Sequence, residues 1–457
     1  MQYVMNRIIL SIVLIFFGSA SLFAQENSAI SLSLQQCVQI AVDENINIKT
    51  ARIDREKSQH KKAEAISAII PKINVGANFQ DNLSLPTTLL PGEIIGQPGT
   101  TIPVQMGVQF NTSANATLSW VLYNQTAITA IQLSKKVTQL NDLGIEKAGE
   151  ELAAEVAKLY FLTVTTSQQR SLVEENITRT KRIQDITKIL VDNGMGKQVD
   201  YDRVSINLEN LYTQLSNVEA GLEQQHNMMK YMLNIPLDKT IVLTDVSEIR
   251  LLQSMPGVMS DFSGHIDIRL LESQLEINRM NRKVVNSGYM PSLVFTGQYA
   301  YQGMRNEFGN YFNDSPENKW FGSSYIGLGL SIPIFDGFEK RSKSLQAKMD
   351  FQKTEALLSD RKEKFTADYQ NAVNNYQNNK ANVERQKQNT ALAERVYDET
   401  ALKYREGLST MSNLLQDEMS LSSAQANYLT ALYNYREAEI KIMSLNGDIR
   451  KLSEPGF

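Results

Sequence analysis

The chain of 457 residues has a single cysteine, Cys37, so no intrachain disulfide can form and a zinc site built on thiolates is out of reach. Histidine is nearly as scarce, and His60, His226 and His265 are too scattered to suggest a metal cluster. With only 11 prolines, long stretches are free to remain helical. No excess of one charge is present either. Lys and Arg total 46 against 50 Asp and Glu, a net charge of −4, which gives no electrostatic reason to expect nucleic acid as a partner. Nothing past the N-terminal segment reaches the ~18 consecutive apolar residues of a membrane-crossing helix. No nucleophile–base pair, metal motif or phosphate loop stands out, so neither catalysis nor a cofactor is expected.

The first 24 residues differ from the rest. Arg7 precedes an apolar run from residue 8 to 17, and the segment ends in Leu22, Phe23 and Ala24 before Gln25. This is the pattern of a secretory signal cleaved after Ala24, and no cysteine follows it to carry a lipid. A secreted chain without a membrane helix can sit in a membrane only as a closed β-barrel.

The remainder reads as two copies of one plan, residues 25–245 and 246–457. Pro71 and Pro291 each end a polar helical run and open an alternating segment. Leu118-Ser119 resembles Leu330-Ser331 at an offset of 212, Gly196 pairs with Gly407 at 211, and Leu233-Asn234 with Leu445-Asn446 at 212. Each copy reads helix, strand, loop, strand, very long helix, tight turn, helix. The first helix is expected at 34–69, and the long helices at 124–191, with a possible break at 141–144, and at 338–404. The return helices are expected at 199–233 and 411–445. Gly194, Gly196 and Gly407 mark the turns, where glycine permits the left-handed geometry that ends a helix. About 68 helical residues span ~100 Å, too long for a compact globule. Their thin apolar stripe, as in Tyr369, Val373, Tyr376 and Val383, suits coiled-coil packing and would by itself be compatible with a structural periplasmic rod.

The strands argue against a rod. Expected at about 73–83, 108–122, 292–301 and 323–334, they alternate apolar or aromatic residues with small or polar ones. Ile73, Val75, Ala77 and Phe79 face one way; Asn74, Gly76, Asn78 and Gln80 face the other. Segments of roughly ten such residues match barrel strands with lipid on one side and water on the other. Residues 289–338 hold 12 of the 36 aromatics, well above an even share, and Trp120 and Trp320 are suited to the belts at the two membrane–water interfaces. The loops 84–107 and 302–322 would then face outside the cell. Four strands cannot close a barrel, for which about eight is the practical minimum. Open edges cannot face lipid, so copies must associate. Two, three or four copies would supply eight, twelve or sixteen strands, and arithmetic does not choose among them. Signal and strands together place the chain in the outer membrane of a Gram-negative cell.

Over essentially all of its mature length the chain resembles the TolC family of outer-membrane efflux channels. The resemblance is carried by residues 34–41 with Asn45, by Pro71-Lys72-Ile73, by Gly196 followed by Asp202, and by Tyr404-x-x-Gly407 followed by Tyr433-Asn434-Tyr435 and Gly447. It implies an internally duplicated, all-α tunnel plus membrane β, with four strands per chain in a shared twelve-stranded barrel of a homotrimer. It also implies a periplasmic adaptor (membrane fusion) protein and an inner-membrane transporter as partners. The function implied is an exit duct for tripartite efflux or type I secretion, the alternatives being a passive porin or a periplasmic coiled-coil protein. By the same resemblance Asp202 and Tyr404 fall at a latch that closes the entrance. The arginine that joins such a latch would fall at Ser409, leaving Arg203, Arg405 or Lys197 as substitutes. The constriction positions are Asn413 and Gln416, which lack the carboxylates of a cation-selective ring. Residues 234–263 would form a small mixed segment at the tunnel's middle.

Overall fold

In the computed structural model, residues 30–244, 262–308 and 319–453 are described. The signal segment, 245–261 of the mixed segment and 309–318 of the second loop lie outside them. The described chain runs β1 (Ile30–Leu32), α1 (Leu34–Glu44), α2 (Ile46–Ser67), β2 (Lys72–Asp81), β3 (Thr87–Pro91), β4 (Thr101–Gln105), β5 (Phe110–Asn124), α3 (Gln125–Asp192) and α4 (Gln198–Met232). After β6 (Ile241–Leu243) come α5 (Ile266–Ser287), β7 (Ser292–Arg305), β8 (Trp320–Ser331), α6 (Glu339–Arg405) and α7 (Met411–Asn446). The order of helix, strands, long helix and return helix thus occurs twice. The described residues within Met1–Ile48, Gly149–Met259 and Asp368–Phe457 form one compact unit, and those within Lys49–Ala148 and Ser260–Ala367 the other. These units cut across the repeat order: each draws on both halves of the sequence.

Three expectations are corrected. The first helix breaks at Asn45, whose backbone is extended (φ −63°, ψ 139°). Its side chain is buried, donates to Met232 O at 2.9 Å and accepts from Asn47 N at 2.9 Å, bonds that compensate the interruption. By contrast, α3 continues unbroken through 141–144. A lone helical glycine such as Gly144 costs only about 1 kcal/mol, which the packing of so long a helix absorbs. The loop 84–107 contains a hairpin, β3 with β4, whose short strands carry Pro91 and Pro103. Outside the hairpin, β1 pairs in parallel with β6.

In the second unit the four long strands form one antiparallel sheet in the order β2-β5-β7-β8. Its register aligns the apolar alternations. Ile73, Leu118, Gly297 and Ile326 share one row; Val75, Ala116, Tyr299 and Ser324 share another. On this face Ile73, Val75, Ile326 and Leu328 are between 68 and 79 % exposed, so a broad apolar surface has no cover among the described residues. The opposite face carries Asn74, Thr117 and Gln298 in register. Strands β2 and β8 are edges. Below the sheet, Asp267 at the first turn of α5 binds Lys147 Nζ at 2.8 Å and Arg361 Nη2 at 2.5 Å, joining α3, α5 and α6. Burial pushes this carboxyl up, but the two cations outweigh it and hold it below the ordinary carboxylate range. Its contribution to stability is therefore present above the ordinary aspartate pKa and is lost as pH falls through the depressed value. Asp267→Asn should flatten the acid limb of a thermal-stability profile, and an unchanged limb would refute this.

Candidate functional site

Two places in the chain follow from the sequence reading, the sheet and the helix turns. On the sheet, Trp120 and Trp320 stand on the apolar face in rows marked by Phe295 and Gly303 of β7, eight residues apart. At about 3.4 Å per residue they are ~27 Å apart along the strand, roughly 20 Å in height for a strand tilted by about 40°, which lies within the ~25 Å of an outer-membrane apolar band. Trp120 Nε1 donates to Ile69 O at 3.1 Å, and Trp320 stacks on Tyr301 with ring centroids 5.2 Å apart. Each ring therefore has an apolar body and a fixed position, the property that suits tryptophan to an interface.

The turns lie in the first unit. Residues 193–197 join α3 to α4, and 406–410 join α6 to α7. Gly194 (φ 70°) and Gly407 (φ 75°) take the left-handed conformation. Gly196 is required for a different reason: a Cβ there would come within 3.0 Å of Leu190 Cβ and Val191 N. The N–H of Gly196 also donates to Leu190 O at 2.9 Å, satisfying a carbonyl freed at the helix end. At the start of α7, Thr410 caps Asn413 N at 3.2 Å. Beside the turns the four helices share an apolar core of Ile183, Val204, Tyr397, Met411, Leu414 and Leu421.

The structure does not bring Asp202 and Tyr404 together within one chain. Asp202 is exposed and accepts from Gln198 Nε2 at 2.9 Å, one turn away on α4. Tyr404 packs against the apolar core with its hydroxyl 3.5 Å from Thr187 Oγ1. Arg203 pairs with Asp200 at 3.4 Å, and Arg405 lines a cavity of about 330 Å³ with Arg179, Arg182, Tyr397 and Tyr404. Asn413 and Gln416 are exposed on α7, away from the face carrying Leu414 and Leu421. The resemblance gave no role to Glu418. It lies on that inner face, 4 % exposed, and takes hydrogen bonds from Thr180 of α3 and, at 3.0 Å, from Asn207 Nδ2 of α4. Its signal in the sequence is an acid at a core position of the Met411, Leu414, Leu421 stripe. Cys37 is fully buried, and burial pushes its thiol up to about 12, the state of an inert packed residue.

Comparison with known proteins identifies the family to which these parts belong. The profile of the family described as outer membrane efflux protein matches residues 37–234 and 264–448, most of the chain. The chain belongs to the outer membrane efflux protein family. Outer membrane protein TolC of Escherichia coli strain K12 is 21% identical over 453 residues, covering 95% of this chain and 85% of that protein. Among solved structures, the open state of the Neisseria gonorrhoeae MtrE outer membrane channel matches with a TM-score of 0.72 at 18% identity, covering 92% of this chain and 90% of that one. The Campylobacter jejuni CmeC outer membrane channel matches at 0.71 and 16%, covering 93% and 86%. This efflux protein is thus an outer-membrane exit duct, and its family is one of channels, not enzymes. Among the described residues, no group of three or more metal-ligating side chains forms a candidate metal site.

Proposed function

We propose that three copies of this chain close a twelve-stranded barrel through outer-membrane lipid, and that a periplasmic adaptor and an inner-membrane transporter load the duct through the helix turns. One observation carries the association of copies, a four-stranded sheet with two edges unpaired among the described residues and an exposed apolar face, and the family supports the number three. Unpaired edges are not tolerated in lipid, so β2 of one copy pairs with β8 of the next. Met195 and Leu408, 72 % and 74 % exposed at the two turns, offer the adaptor apolar contacts that water alone does not favour. Cross-linking of the detergent-extracted protein should give a trimer. A stable monomer in the outer-membrane extract would remove this proposal.

The entrance is closed in the resting trimer by Asp202 and Tyr404, a carboxylate accepting from a phenol. Among the described residues Asp202 has only an amide partner, which leaves acceptor capacity for that bond. Asp202→Ala and Tyr404→Phe should each raise the open fraction in single-channel recordings; unchanged conductance in both would assign the two residues to packing. With Asn413 and Gln416 uncharged at the constriction, the pore should show only weak cation preference. A reversal-potential measurement reads this directly, and strong cation selectivity would contradict it.

A further inference from the structure

Glu418 stands where α7 would otherwise carry an apolar residue. A carboxylate so buried must be hydrogen-bonded to persist. Its donors come from both helices of the other hairpin: Thr180 of α3 to one oxygen and Asn207 of α4 to the other. Thr180 is itself fully buried. The charged and titratable groups that face Glu418 are Arg179 from α3 and Tyr397 from α6; α4 presents only the Asn207 amide. Arg179 does not grip the carboxylate. Its Nη2 donates to Asn176, its guanidinium lies 5.5 Å over the Tyr397 ring, and its Nε is buried without an acceptor. The ionised form is therefore hydrogen-bonded by two neutral donors, with a cation near but turned aside. Burial pushes the carboxyl up, and Thr180, Arg179 and Asn207 recover part of that shift.

We propose that Glu418 is a proton-responsive tie between the α3–α4 and α6–α7 hairpins, and that its protonation favours the closed entrance. The inference rests on the channel reading above. While the hairpins are packed together the carboxyl is shielded from water; when they separate, water reaches it and its proton affinity returns toward that of an ordinary glutamate. The closed state therefore binds the proton more tightly, and acid shifts the equilibrium toward closure. Each unit of difference between the two pKa values is worth about tenfold in the closed-to-open ratio. Protonation does not break the tie, because a carboxyl can still accept from Asn207 while its own O–H donates to Thr180 Oγ1.

The test is planar-bilayer recording of the full-length wild type, Glu418→Gln and Glu418→Ala from about pH 8 to about pH 4, a range that takes in the ordinary glutamate value and everything above it. Wild type should lose open fraction on acidification. Glu418→Gln, the amide counterpart of the protonated form, should be more closed at the upper pH and lack that slope. Glu418→Ala should be more open throughout. Thermal unfolding in detergent gives a readout that needs no pore. There Glu418→Gln should melt above wild type at the upper pH and level with it at the lower, with Glu418→Ala below both. The same pH slope in Glu418→Gln as in wild type, or greater opening of Glu418→Gln at the upper pH, would overturn the tie. Folded protein that never conducts would sink the channel reading instead, and the melting comparison then decides the tie by itself.

Discussion

Val75→Arg should block assembly into the outer membrane, whereas Asn74→Arg, one residue earlier on the same strand, should leave it nearly intact. Val75 is 79 % exposed on the apolar face. Its row runs through Ala116 and Tyr299 to Ser324. Tyr299 lies midway between the β7 rows that carry Trp120 and Trp320, so Val75 is at the centre of the apolar band. A guanidinium at the midplane of a barrel's lipid face costs about 2–4 kcal/mol per chain, and each copy of an assembly repeats that cost. Asn74 points the other way, in register with Thr117 and Gln298, where water solvates an added charge. The measurement is the fraction of each variant in outer membranes, with its assembled state read on a semi-denaturing gel. Equal recovery of the two would mean that the apolar face does not meet lipid.

Arg436→Met should produce the largest loss of stability from a single change among the helices. Arg436 Nη1 and Glu439 Oε2 are 2.7 Å apart, with side chains 6% and 0% exposed. The guanidinium also lies 5.5 Å from the rings of Phe161 and Tyr435. Removing one partner of a buried pair leaves the other charge without its counter-ion, at a cost of about 3–5 kcal/mol. Removing both together, as Arg436→Met with Glu439→Leu, takes away the charge along with its partner, and most of the loss should be recovered. The double variant melting as low as the single one would mean that the network around the pair, not the uncompensated charge, sets the cost.

The helices and strands were readable because their periods are local. Alternation in 73–79 and 326–331 selects a strand with two unlike faces whatever lies beside it, although the expected strand at 323–334 ends at Ser331. The glycines at 194, 196 and 407 end helices for backbone reasons that act within a few residues. Where neighbours decide, the sequence was a poor guide. Asn45 reads as an ordinary helical position, but the carbonyl of Met232, 187 residues away, gives its amide a partner and the helix breaks there. Asn141 and Gly144 read as a break, yet α3 passes through them.

The candidate site divides in the same way. The turns and their place between paired helices follow from composition and spacing alone. The partners of the side chains beside them do not. The family resemblance pairs Asp202 with Tyr404, but within one chain the helices set them against Gln198 and Thr187. Glu418 shows in sequence only as an acid spaced with the apolar stripe of α7. Only the packing of α7 on α3 and α4 buries it beside Thr180 and Asn207. The sequence by itself determined the period of each segment, and so the element order, the two-faced strands and the need for copies to associate. The tertiary structure alone decided register, helix breaks and which polar groups lost water, because desolvation depends on what packs against a residue and not on its neighbours along the chain.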